Sequence, residues 1–585
     1  MFGIQLNNTF LDLYSKTALS FELNNPAYLG DDIDVIPNAF MFTIKVPLTG
    51  LNRRQLNYPD RVDNADFFLS SEECGVWCEG IEVFRSLLSV RSATPTDAEI
   101  SLTVNTISQL KDLLLTQLNH DTVDLSAIVD PVSYLSGSCI SPDIRDFICF
   151  PVWNPDFYET ADQTEEFYEK TYQNMWDTDV SSVSKLKIDS KSPVTPFLKV
   201  SYILRKMAES TGFTLNNAWQ TNRELSQLCT YNNFSIVKWN TAGTTYTLDA
   251  TLDLKNHVSK AKCSDYLKSL RNLFNLGIYV NFFDKTLSIV PNSQVLQASA
   301  RHDWTQKVIS ETTKTKTLNY PTRFSYANNP SVLPDISKLS RYPSAPALST
   351  DPEGIYTNAI GGRLYHRPEA VQSEYIAVEL DNYVKFGNVD KYALESPLST
   401  MPSARVFMNG FGVTTAPGIR TKGAFRIDSA EVSEATFEDR LIFYRGMSDF
   451  KTSGGGDNAA YANFCPLASS EDNTAVGYRI KTGWDTDIIA GGSIPTAYAP
   501  ADVEYTLLWN GTKGLYNRWW ATWHQMLQVK RDVKVNLALT TKEIRAFSFQ
   551  DKVRIGNKEY LVKKLRVSLT AEGLAATEAD LVTVI

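Results

Sequence analysis

Histidine and cysteine are scarce in this chain of 585 residues, which has five histidines and seven cysteines. A small secreted domain held together by disulfides would have a denser and usually even set of cysteines. Cys74 and Cys78 lie close in sequence, but a structural zinc site needs two further Cys or His ligands at suitable spacing, and none follows. We therefore predict reduced thiols in a protein made in a reducing cytosol. The cysteines occupy positions 74, 78, 139, 149, 229, 263 and 465.

The sequence also lacks a basic excess and long apolar runs. It has 57 Lys and Arg against 66 Asp and Glu, which gives a formal net charge of −9. Proteins that gain affinity by neutralising phosphates carry a basic stripe, so we expect no sequence-specific DNA binding. No apolar stretch approaches the roughly 20 residues that cross a bilayer. Because the N-terminus also lacks the regions of a signal peptide, we expect a soluble protein that is not exported by the standard route.

Sequence motifs for catalysis, metal binding and nucleotide binding are missing. There is no His-Glu-x-x-His motif and no Gly-x-Ser-x-Gly elbow. The segment from Gly511 to Gly514 lacks the spacing of a phosphate loop, and Asp31, Asp32 and Asp34 lack the pattern of a calcium loop. We predict no catalytic, cofactor-binding or metal-binding residues, no cofactor and no enzymatic activity. A glycosidase carboxylate pair stays open as an alternative, because the sequence distinguishes no two of the 66 acidic residues. The histidines are His120, His257, His302, His366 and His524.

The residues that are abundant favour a large β-rich protein. Aromatic residues make up 11% of the chain, as is usual in β-rich cores and in assembly surfaces. The length exceeds what one hydrophobic core serves, so we expect about three to five domains. We predict an α+β, mainly β, multidomain fold with β-barrel-like or sandwich-like domains and a few amphipathic helices. The predicted divisions are an N-terminal β domain at 1–125, an irregular insertion at 126–192, a helix–glycine–strand domain at 193–300, a loop-rich β domain at 301–502, and a C-terminal domain of one helix plus strands at 503–585.

Residue patterns in the N-terminal domain predict strands and one helix. Apolar residues alternate over 39–46, which predicts a strand that Pro47 ends and that a polar turn at 52–54 follows. Further strands are predicted at 76–84, 87–92 and 99–104, the last two joined by a hairpin loop at 93–97. The apolar stripe Ile107, Leu110, Leu113, Leu114 and Leu118 predicts a helix.

One local pattern occurs twice in the middle of the chain: an amphipathic helix, then a glycine, then an apolar strand. The first copy runs from Phe197 to Gly212 and the second from Tyr266 to Gly277, each followed by three strand-forming residues. We predict that each glycine ends its helix with a positive φ. The second copy should continue into a hairpin that turns at Asp284 and Lys285. Such units are structural, and no catalytic set of residues surrounds them.

The later residues divide into a poorly patterned part and a strongly patterned part. Short strands are predicted at 375–380 and 440–444, and Gly454 to Asp457 predicts a mobile loop. Near the end, the Trp519, Trp520 and Trp523 cluster predicts a helix whose aromatic face packs in the core; a sugar-stacking platform is the alternative. Strands are then predicted at 533–539, 553–555, 560–567 and 579–584, with a hairpin turn at 556–557.

Three stretches together resemble the structural tail proteins of phages and prophages of Bacteroidetes hosts. The first, residues 11–64, is LDLYSKTALSFELNNPAYLGDDIDVIPNAFMFTIKVPLTGLNRRQLNYPDRVDN. The second, residues 252–280, is LDLKNHVSKAKCSDYLKSLRNLFNLGIYV. The third has two parts, GLYNRWWATWHQML at 514–527 and DKVRIGNKEYLVKKLRVSL at 551–569. They cover about a third of the chain, in the order in which such proteins have them.

The resemblance implies a tail hub or baseplate hub of a crAss-like short-tailed phage: a non-enzymatic, hub-like ring subunit. Such a ring would connect the tail barrel or adaptor to fibres or to a distal plug, and genomic double-stranded DNA would pass nearby without sequence-specific binding. The expected location is the virion tail, after synthesis and assembly in the host cytoplasm. Two alternatives stay open, a collar or adaptor ring nearer the portal and a glycan-binding or glycan-hydrolysing β-protein.

Overall fold

A computed structural model gives the arrangement of most of the chain. It describes the following residues: 2–28, 39–41, 43–63, 72–104, 110, 112–154, 157, 172–175, 186, 188, 193–239, 246–281, 283–315, 321–326, 355–357, 362–366, 375–380, 383–385, 393–400, 403–408, 412–417, 419, 421–427, 430–431, 439–451, 461–469, 505, 507, 509, 513–570 and 572–584. The fold is α+β and mainly β, with several sheets, as predicted. No helix in these ranges is both long enough and apolar enough to cross a membrane.

The largest sheet joins the two ends of the chain. Its central contact pairs Leu19–Asn24 antiparallel with Lys558–Thr570. Alternate residues of the first strand, Leu19, Phe21 and Leu23, are buried, as expected for a strand with one face on the core. In order, the path of the sheet is Thr9–Phe10, Phe2–Leu6, Glu72–Cys78, Ile81–Ala93, Asp97–Val104, Ala39–Met41, Leu19–Asn24, Lys558–Thr570, Thr577–Thr583, Asp532–Leu537 and Val308–Thr315, with Ile44–Pro47, Lys552–Ile555, Ala300–Asp303 and Gly573–Leu574 as side branches.

The large sheet combines strands from several of the predicted divisions. It draws strands from 2–104, from 300–315 and from 532–583. Glu22 lies at the contact between the chain ends and forms ion pairs with Lys564 at 2.7 Å and with Arg566 at 3.1 Å. The five predicted divisions stay a prediction, but three of them contribute strands to one sheet.

Two N-terminal predictions are wrong, one at a hairpin turn and one at a short helix. The predicted strand at 76–84 is a hairpin between Glu72–Cys78 and Ile81–Ala93. Glu79 and Gly80 have φ of +53° and +78°, the left-handed pair that closes a two-residue hairpin. The predicted turn at 52–54 lies inside a short helix, Gly50–Gln55, because the Thr49 side chain accepts a hydrogen bond from the Asn52 N–H and caps it.

The predicted helix at 107–118 is not continuous. Residues 105–109 and 111 lie outside the described ranges. Leu114 and Leu118 have extended ψ angles of 150° and 154°, and only the single 3₁₀ turn Leu115–Gln117 lies between them. The predicted hairpin loop at 93–97 is confirmed, since Ile81–Ala93 pairs with Asp97–Val104.

Both helix–strand units are present, but their glycines have different roles. In the first, the helix Val200–Ser210 is followed by Gly212, which has a φ of +73° as predicted. In the second, the helix Cys263–Phe274 ends at Asn275, which has a φ of +49°. The prediction for Gly277 is therefore wrong: it lies inside a strand, where an added Cβ would come within 2.5 Å of the Tyr279 ring.

The strands of the two units share one sheet. Thr214–Asn217 pairs parallel with Thr286–Pro291, which pairs antiparallel with Leu276–Asn281. The predicted hairpin is confirmed, with Lys285 at its turn in the left-handed region. Because both strands lie against Thr286–Pro291, the two units form one structural layer.

The C-terminal predictions are confirmed. The helix begins with the π-helical segment Tyr516–Trp520 and continues as Ala521–Val529. The four predicted strands follow it, with a hairpin at Gly556, whose φ is +60°. Their bounds are Asp532–Leu537, Lys552–Ile555, Lys558–Thr570 and Thr577–Thr583.

The remaining strands form smaller sheets. A six-stranded sheet contains Phe147–Ile148, Phe197–Lys199, Leu228–Thr230, Arg440–Lys451, Ser399–Thr400 and Tyr461–Ser469. The others are Val152–Trp153 with Tyr172–Gln173; Phe234–Trp239 with Tyr246–Leu248, Ala424–Ile427 and Ala430–Glu431; Thr122–Asp124 with Thr251–Asp253; Arg323–Tyr326 with Tyr383–Lys385 and Ala393–Ser396; Ile355–Thr357 with Gly362–His366 and Tyr375–Leu380; and Ser403–Met408 with Gly412–Pro417.

The helices of the described residues are short. The α-helices not yet named are Pro131–Ile140, Arg223–Ser226, Asn292–Gln297 and Thr541–Ala546, and the further 3₁₀ helices are Pro142–Ile144, Ala218–Thr221, Leu254–His257 and Thr305–Lys307. Pro131–Ile140 lies in the region predicted as irregular and starts at the Asp130 cap and Pro131, a common helix start. The predicted mobile loop at 454–457 and the acidic turn at 31–34 lie outside the described residues.

Candidate functional site

The side chains that could carry chemistry are dispersed. Across the described ranges, no three His, Cys, Asp or Glu side chains lie close enough to hold a metal ion. Six cysteine side chains of the described residues are buried. Burial raises the pKa of the Cys139 thiol to about 12, so this thiol stays protonated at neutral pH and is a poor nucleophile. The side chain of Cys465 lies outside the described part of the chain.

The histidines lie in separate environments. His120 Nε2 lies 2.8 Å from the Leu115 carbonyl, and His302 Nε2 lies 3.2 Å from the Asp551 carboxylate. Burial lowers the pKa of His524 to about 4, and burial lowers the pKa of His257 to about 3. Both imidazoles are therefore neutral at physiological pH. The side chain of His366 is not among those described.

The tryptophan cluster is part of the core, as predicted. Trp519, Trp520 and Trp523 are 7%, 1% and 1% exposed. The alternative of a sugar-stacking platform is therefore wrong, because a buried ring offers no face to a ligand.

The three stretches that carry the resemblance meet around these tryptophans. Tyr28, from the first stretch, lies with its ring centroid 5.4 Å from that of Trp523, from the third. Asn25 Nδ2 donates a hydrogen bond of 2.8 Å to the carbonyl of Val562, also in the third stretch. Phe274, from the second stretch, packs edge-on against Trp519 at 5.7 Å. We call Tyr28, Asn272, Asn275, Trp519, Trp520 and Trp523 the three-segment junction.

Hydrogen bonds fix the second stretch to the third within the junction. Trp520 Nε1 donates to the Asn272 carbonyl at 3.0 Å. Asn275 Nδ2 donates to the Trp519 carbonyl at 2.8 Å, and its Oδ1 accepts from Asn292 Nδ2 at 2.8 Å. Asparagine tolerates the left-handed conformation better than most residues. The backbone of Asn275 therefore ends one helix, and its side chain binds the segment Tyr516–Trp520.

Two charged side chains, Lys530 and Asp532, lie beside Tyr28 of the junction. Lys530 Nζ lies 5.9 Å from the Tyr28 ring centroid and 3.8 Å from Asp532 Oδ1. Burial raises the pKa of Tyr28, and the Asp532 carboxylate raises it further. Burial lowers the pKa of Lys530, and Asp532 opposes that shift. The tyrosine is therefore neutral across the physiological range and acts as a packed ring.

A cavity of about 290 Å³ lies elsewhere, over one face of the strand Phe234–Trp239. It is lined by Phe234, Ile236, Lys238, Asp249, Ala250, Thr251, Asp253, Asn256, His257 and Arg426. We call it the His257 cavity. Phe234, Ile236 and Lys238 are alternate residues of one strand, so their side chains share a face. Arg426 lies beside Lys238 on the parallel neighbour strand.

An ion-pair network crosses this cavity. Asp249 is 3% exposed and its Oδ1 lies 2.6 Å from Lys238 Nζ, while Oδ2 forms an ion pair with Arg426. His257 Nδ1 lies 3.1 Å from Asn232 Oδ1. His257 Nε2 is buried and has no hydrogen-bond partner among the residues that the structure describes. Asp249 is thus paired with two cations at this cavity, and the nearby His257 Nε2 is buried without a hydrogen-bond partner among the described residues.

Sequence reasoning did not find the cavity. His257 lies in no metal-binding or catalytic motif of the sequence, and neither do Asp249, Lys238 and Arg426. Arg426 is separated from Lys238 by 188 positions of the printed sequence, and only the parallel pairing of their strands brings them together. No local pattern could have indicated this arrangement.

Comparisons with known proteins give slight likenesses. No family model matches the chain, and no curated protein matches it. Among solved structures, the 43 kDa tail protein of prophage MuSo2 from Shewanella oneidensis is similar at 8% identity and a TM-score of 0.30, over 100% of this chain and 97% of that one. A tail protein from Neisseria meningitidis MC58 is similar at 8% identity and a TM-score of 0.28, over 99% and 95%. Identity and TM-score are too low for either likeness to support an argument about this chain.

Proposed function

We propose that this chain is a non-enzymatic structural protein of a phage tail. The observation that carries the proposal is the three-segment junction. Residues 11–64, 252–280 and 514–569 contain the stretches that resemble tail proteins, and these stretches contact one another through Tyr28, Asn275 and Trp523. A resemblance scattered by chance would have no reason to fall on segments that pack together.

The finer proposal is a ring-forming tail hub. Identical interfaces between copies would close a ring around the path of DNA ejection, and the ring would connect the tail barrel to fibres or to a distal plug. Interfaces of obligate assemblies commonly bury about 2,000 Å² or more, which the aromatic-rich composition suits. The resemblance of the three stretches supports this role.

Electron microscopy tests the hub. The purified 585-residue chain, or the phage particle that contains it, should show a ring with three-, six- or twelve-fold symmetry, and mass spectrometry should find the chain in purified particles. A chain that stays monomeric at micromolar concentration and is absent from particles would overturn both the hub and the broader tail assignment. Density beside the portal would instead favour the collar or adaptor.

A glycan-hydrolysing role requires a pair of carboxylates that act on one bond. Asp249, the most buried carboxylate of the His257 cavity, is held by two cations, which leaves it poorly suited to act as an acid or base. Hydrolysis of a bacterial surface glycan by the purified chain, lost on replacement of one carboxylate, would contradict the non-enzymatic proposal.

A further inference from the structure

We propose that His120 and Tyr202 form a pH-sensitive latch, which holds residues 118–124 on the helix Val200–Ser210 at neutral pH and loosens in acid. The histidine lies in the segment and the tyrosine lies on the helix. The hydrogen bonds between them can form only while the imidazole is neutral. The latch does not depend on the tail role, because it belongs to the fold of the single chain.

The neighbours of the His120 imidazole fix the position of its hydrogen. His120 Nε2 lies 2.8 Å from the Leu115 carbonyl oxygen, which can only accept, so Nε2 carries a hydrogen. A neutral imidazole has one N–H, and His120 Nδ1 is therefore an acceptor. The Tyr202 hydroxyl oxygen lies 3.3 Å from Nδ1 and donates its hydrogen to it. The same oxygen accepts the Asp121 N–H at 3.0 Å.

The Tyr202 hydroxyl joins the segment to a buried part of the helix. Tyr202 is fully buried, and its oxygen holds the Asp121 N–H. On the other side, the Asp121 carbonyl accepts the Leu254 N–H at 3.2 Å. The strand Thr122–Asp124 also pairs with Thr251–Asp253. Loss of the Tyr202 bonds would therefore weaken the attachment of the segment on the helix side and leave the strand pairing in place.

A second hydrogen on the imidazole is incompatible with this arrangement. Protonated His120 carries an N–H on both ring nitrogens, so the Nδ1–H and the Tyr202 O–H would point at each other. The hydroxyl would then have to turn its hydrogen away from Nδ1. Because Tyr202 is fully buried, a donor that loses its acceptor there is costly. Protonation therefore favours a conformation in which the segment has moved away from the helix.

The balance of burial and charge favours the neutral imidazole in the closed latch. Burial is the largest influence on the pKa of His120 and lowers it. The hydrogen bond to the backbone carbonyl and the Asp253 and Asp121 carboxylates oppose that shift, whereas the Lys206 ammonium adds to it. The folded-state pKa thus lies below the value of about 6.5 for an exposed histidine. The stability that the closed latch contributes is present above that pH and is lost as pH falls below it.

The ion pairs of the helix are a weaker attachment. Lys206 Nζ lies 2.8 Å from the Asp121 carboxylate and 3.0 Å from the Glu209 carboxylate. Arg205 forms an ion pair of 2.9 Å with Asp146. The carboxylates of all these pairs are 40% to 49% exposed, and such exposed pairs contribute little to stability. The buried Tyr202 bonds are therefore the part of the contact that decides whether the segment stays in place.

Hydrogen exchange measured by mass spectrometry tests the latch in the full chain of 585 residues. Exchange of residues 119–124 is compared at pH 7.5 and pH 5.0, with exchange times scaled for equal intrinsic rates. An exposed histidine titrates near 6.5, so opening at pH 5.0 can increase by about thirtyfold at most, and we expect about fivefold or more. No increase would overturn the proposal. An equal increase in the strand Lys558–Thr570 would indicate global unfolding and would also overturn it.

His120→Gln separates protonation from packing. The glutamine amide offers a donor to the Leu115 carbonyl and an acceptor to the Tyr202 O–H, and it is uncharged at both values of pH. We expect exchange of residues 119–124 in this variant to show no acid-induced increase. The same increase in this variant as in the wild type would show that His120 is not the responsible group, and would reject the latch.

Tyr202→Phe tests the hydroxyl. This variant keeps the buried ring but removes the acceptor of the Asp121 N–H, so residues 119–124 should exchange rapidly at both values of pH. Tyr134→Phe makes the same change on the helix Pro131–Ile140 and is the matched control, which should leave this exchange unchanged. Slow exchange at pH 7.5 in Tyr202→Phe would overturn the proposal. Should that variant fail to fold, the comparison of His120→Gln with the wild type decides the proposal alone.

Discussion

The three-segment junction and the His257 cavity differ in how completely side chains fill them. In the junction, Trp519, Trp520 and Trp523 fill the space, and asparagine side chains join segments that are distant in sequence. In the cavity, space of about 290 Å³ remains and His257 Nε2 is left without a partner among the described residues. Large buried rings therefore fill the first region, whereas the second keeps unfilled space beside a buried neutral imidazole. Substitutions in the junction should cost stability at every pH, whereas the effect of His257 on stability should depend on pH.

The strongest test of this contrast is Trp520→Ala. The side chain is 1% exposed and donates to the Asn272 carbonyl at 3.0 Å. Truncation of a buried tryptophan leaves a cavity and costs about 3–5 kcal/mol. Urea unfolding followed by fluorescence should show this loss. The exposed Val529→Ala change in the same helix is the control. A similar small effect of both variants would contradict the claim that the junction stabilises the fold.

The next test measures how the stability of the chain depends on pH through His257. The pKa of His257 is lowered by burial to about 3 in the folded chain, against about 6.5 when unfolded. Below pH 6.5 the His257 imidazole is therefore protonated in the unfolded state but stays neutral in the folded state. The free energy of unfolding falls as pH falls from 6.5 towards 3. The loss is about 1.4 kcal/mol for each pH unit, or roughly 3 kcal/mol at pH 4.5.

Urea midpoints at pH 7.0 and pH 4.5 measure that loss. His257→Asn cannot take up the proton and should show a smaller drop between the two values of pH. His524, whose pKa is lowered by burial to about 4, contributes in the same direction in both proteins and cancels in the comparison. An identical pH dependence of the two proteins would show that His257 is not buried as a neutral base.

Asn275 tests the hydrogen bonds of the junction separately from its packing. Asn275→Ala loses the bond to the Trp519 carbonyl and the bond from Asn292, and it places alanine at a φ of +49°. The left-handed conformation costs about 1–2 kcal/mol and each lost bond about 1 kcal/mol, so we expect roughly 3–4 kcal/mol. Asn275→Gly removes the backbone strain but does not restore the side-chain hydrogen bonds. Its stability should therefore lie between those of Asn275→Ala and the wild type. Thermal unfolding should give this order, and a reversed order would contradict it.

The smallest effects concern the two glycines. Gly212 has a φ of +73° and no atom within 4 Å of an added Cβ, so Gly212→Asn should cost less than about 1 kcal/mol because asparagine tolerates this conformation. Gly277→Asn would press against the Tyr279 ring at 2.5 Å, and such overpacking costs about 1–3 kcal/mol. Denaturant midpoints of the two variants should differ in this direction. Equal midpoints would mean that Tyr279 moves aside freely.

Local patterns in the sequence predicted local structure well. Apolar spacing located the helices Val200–Ser210 and Cys263–Phe274, and the hairpins at 284–285 and 556–557 followed from their turn residues. Errors occurred where one residue decided the outcome. Glu79 adopted a positive φ within an apolar pattern, and Asn275 took the helix-ending role that we assigned to Gly277.

The candidate regions themselves could not be predicted, because they depend on distant contacts. The rings of Tyr28 and Trp523 come from opposite ends of the chain and pack at a tilt. The ion pair of Asp249 with Arg426 requires a strand that is distant in sequence. The resemblance of three stretches identified the segments of the junction but contained no information about their packing.

The sequence by itself determined the scarcity of reactive side chains, the mainly β composition and the positions of most local elements, since alternation, helical spacing and turn residues act over a few positions. The tertiary structure alone decided that Leu19–Asn24 pairs with Lys558–Thr570, that the tryptophans join three segments, and that His257 faces an open cavity. Strand pairing, burial and buried ion pairs arise between residues that only folding brings together. Their free energies therefore depend on the assembled core and not on any local run of residues.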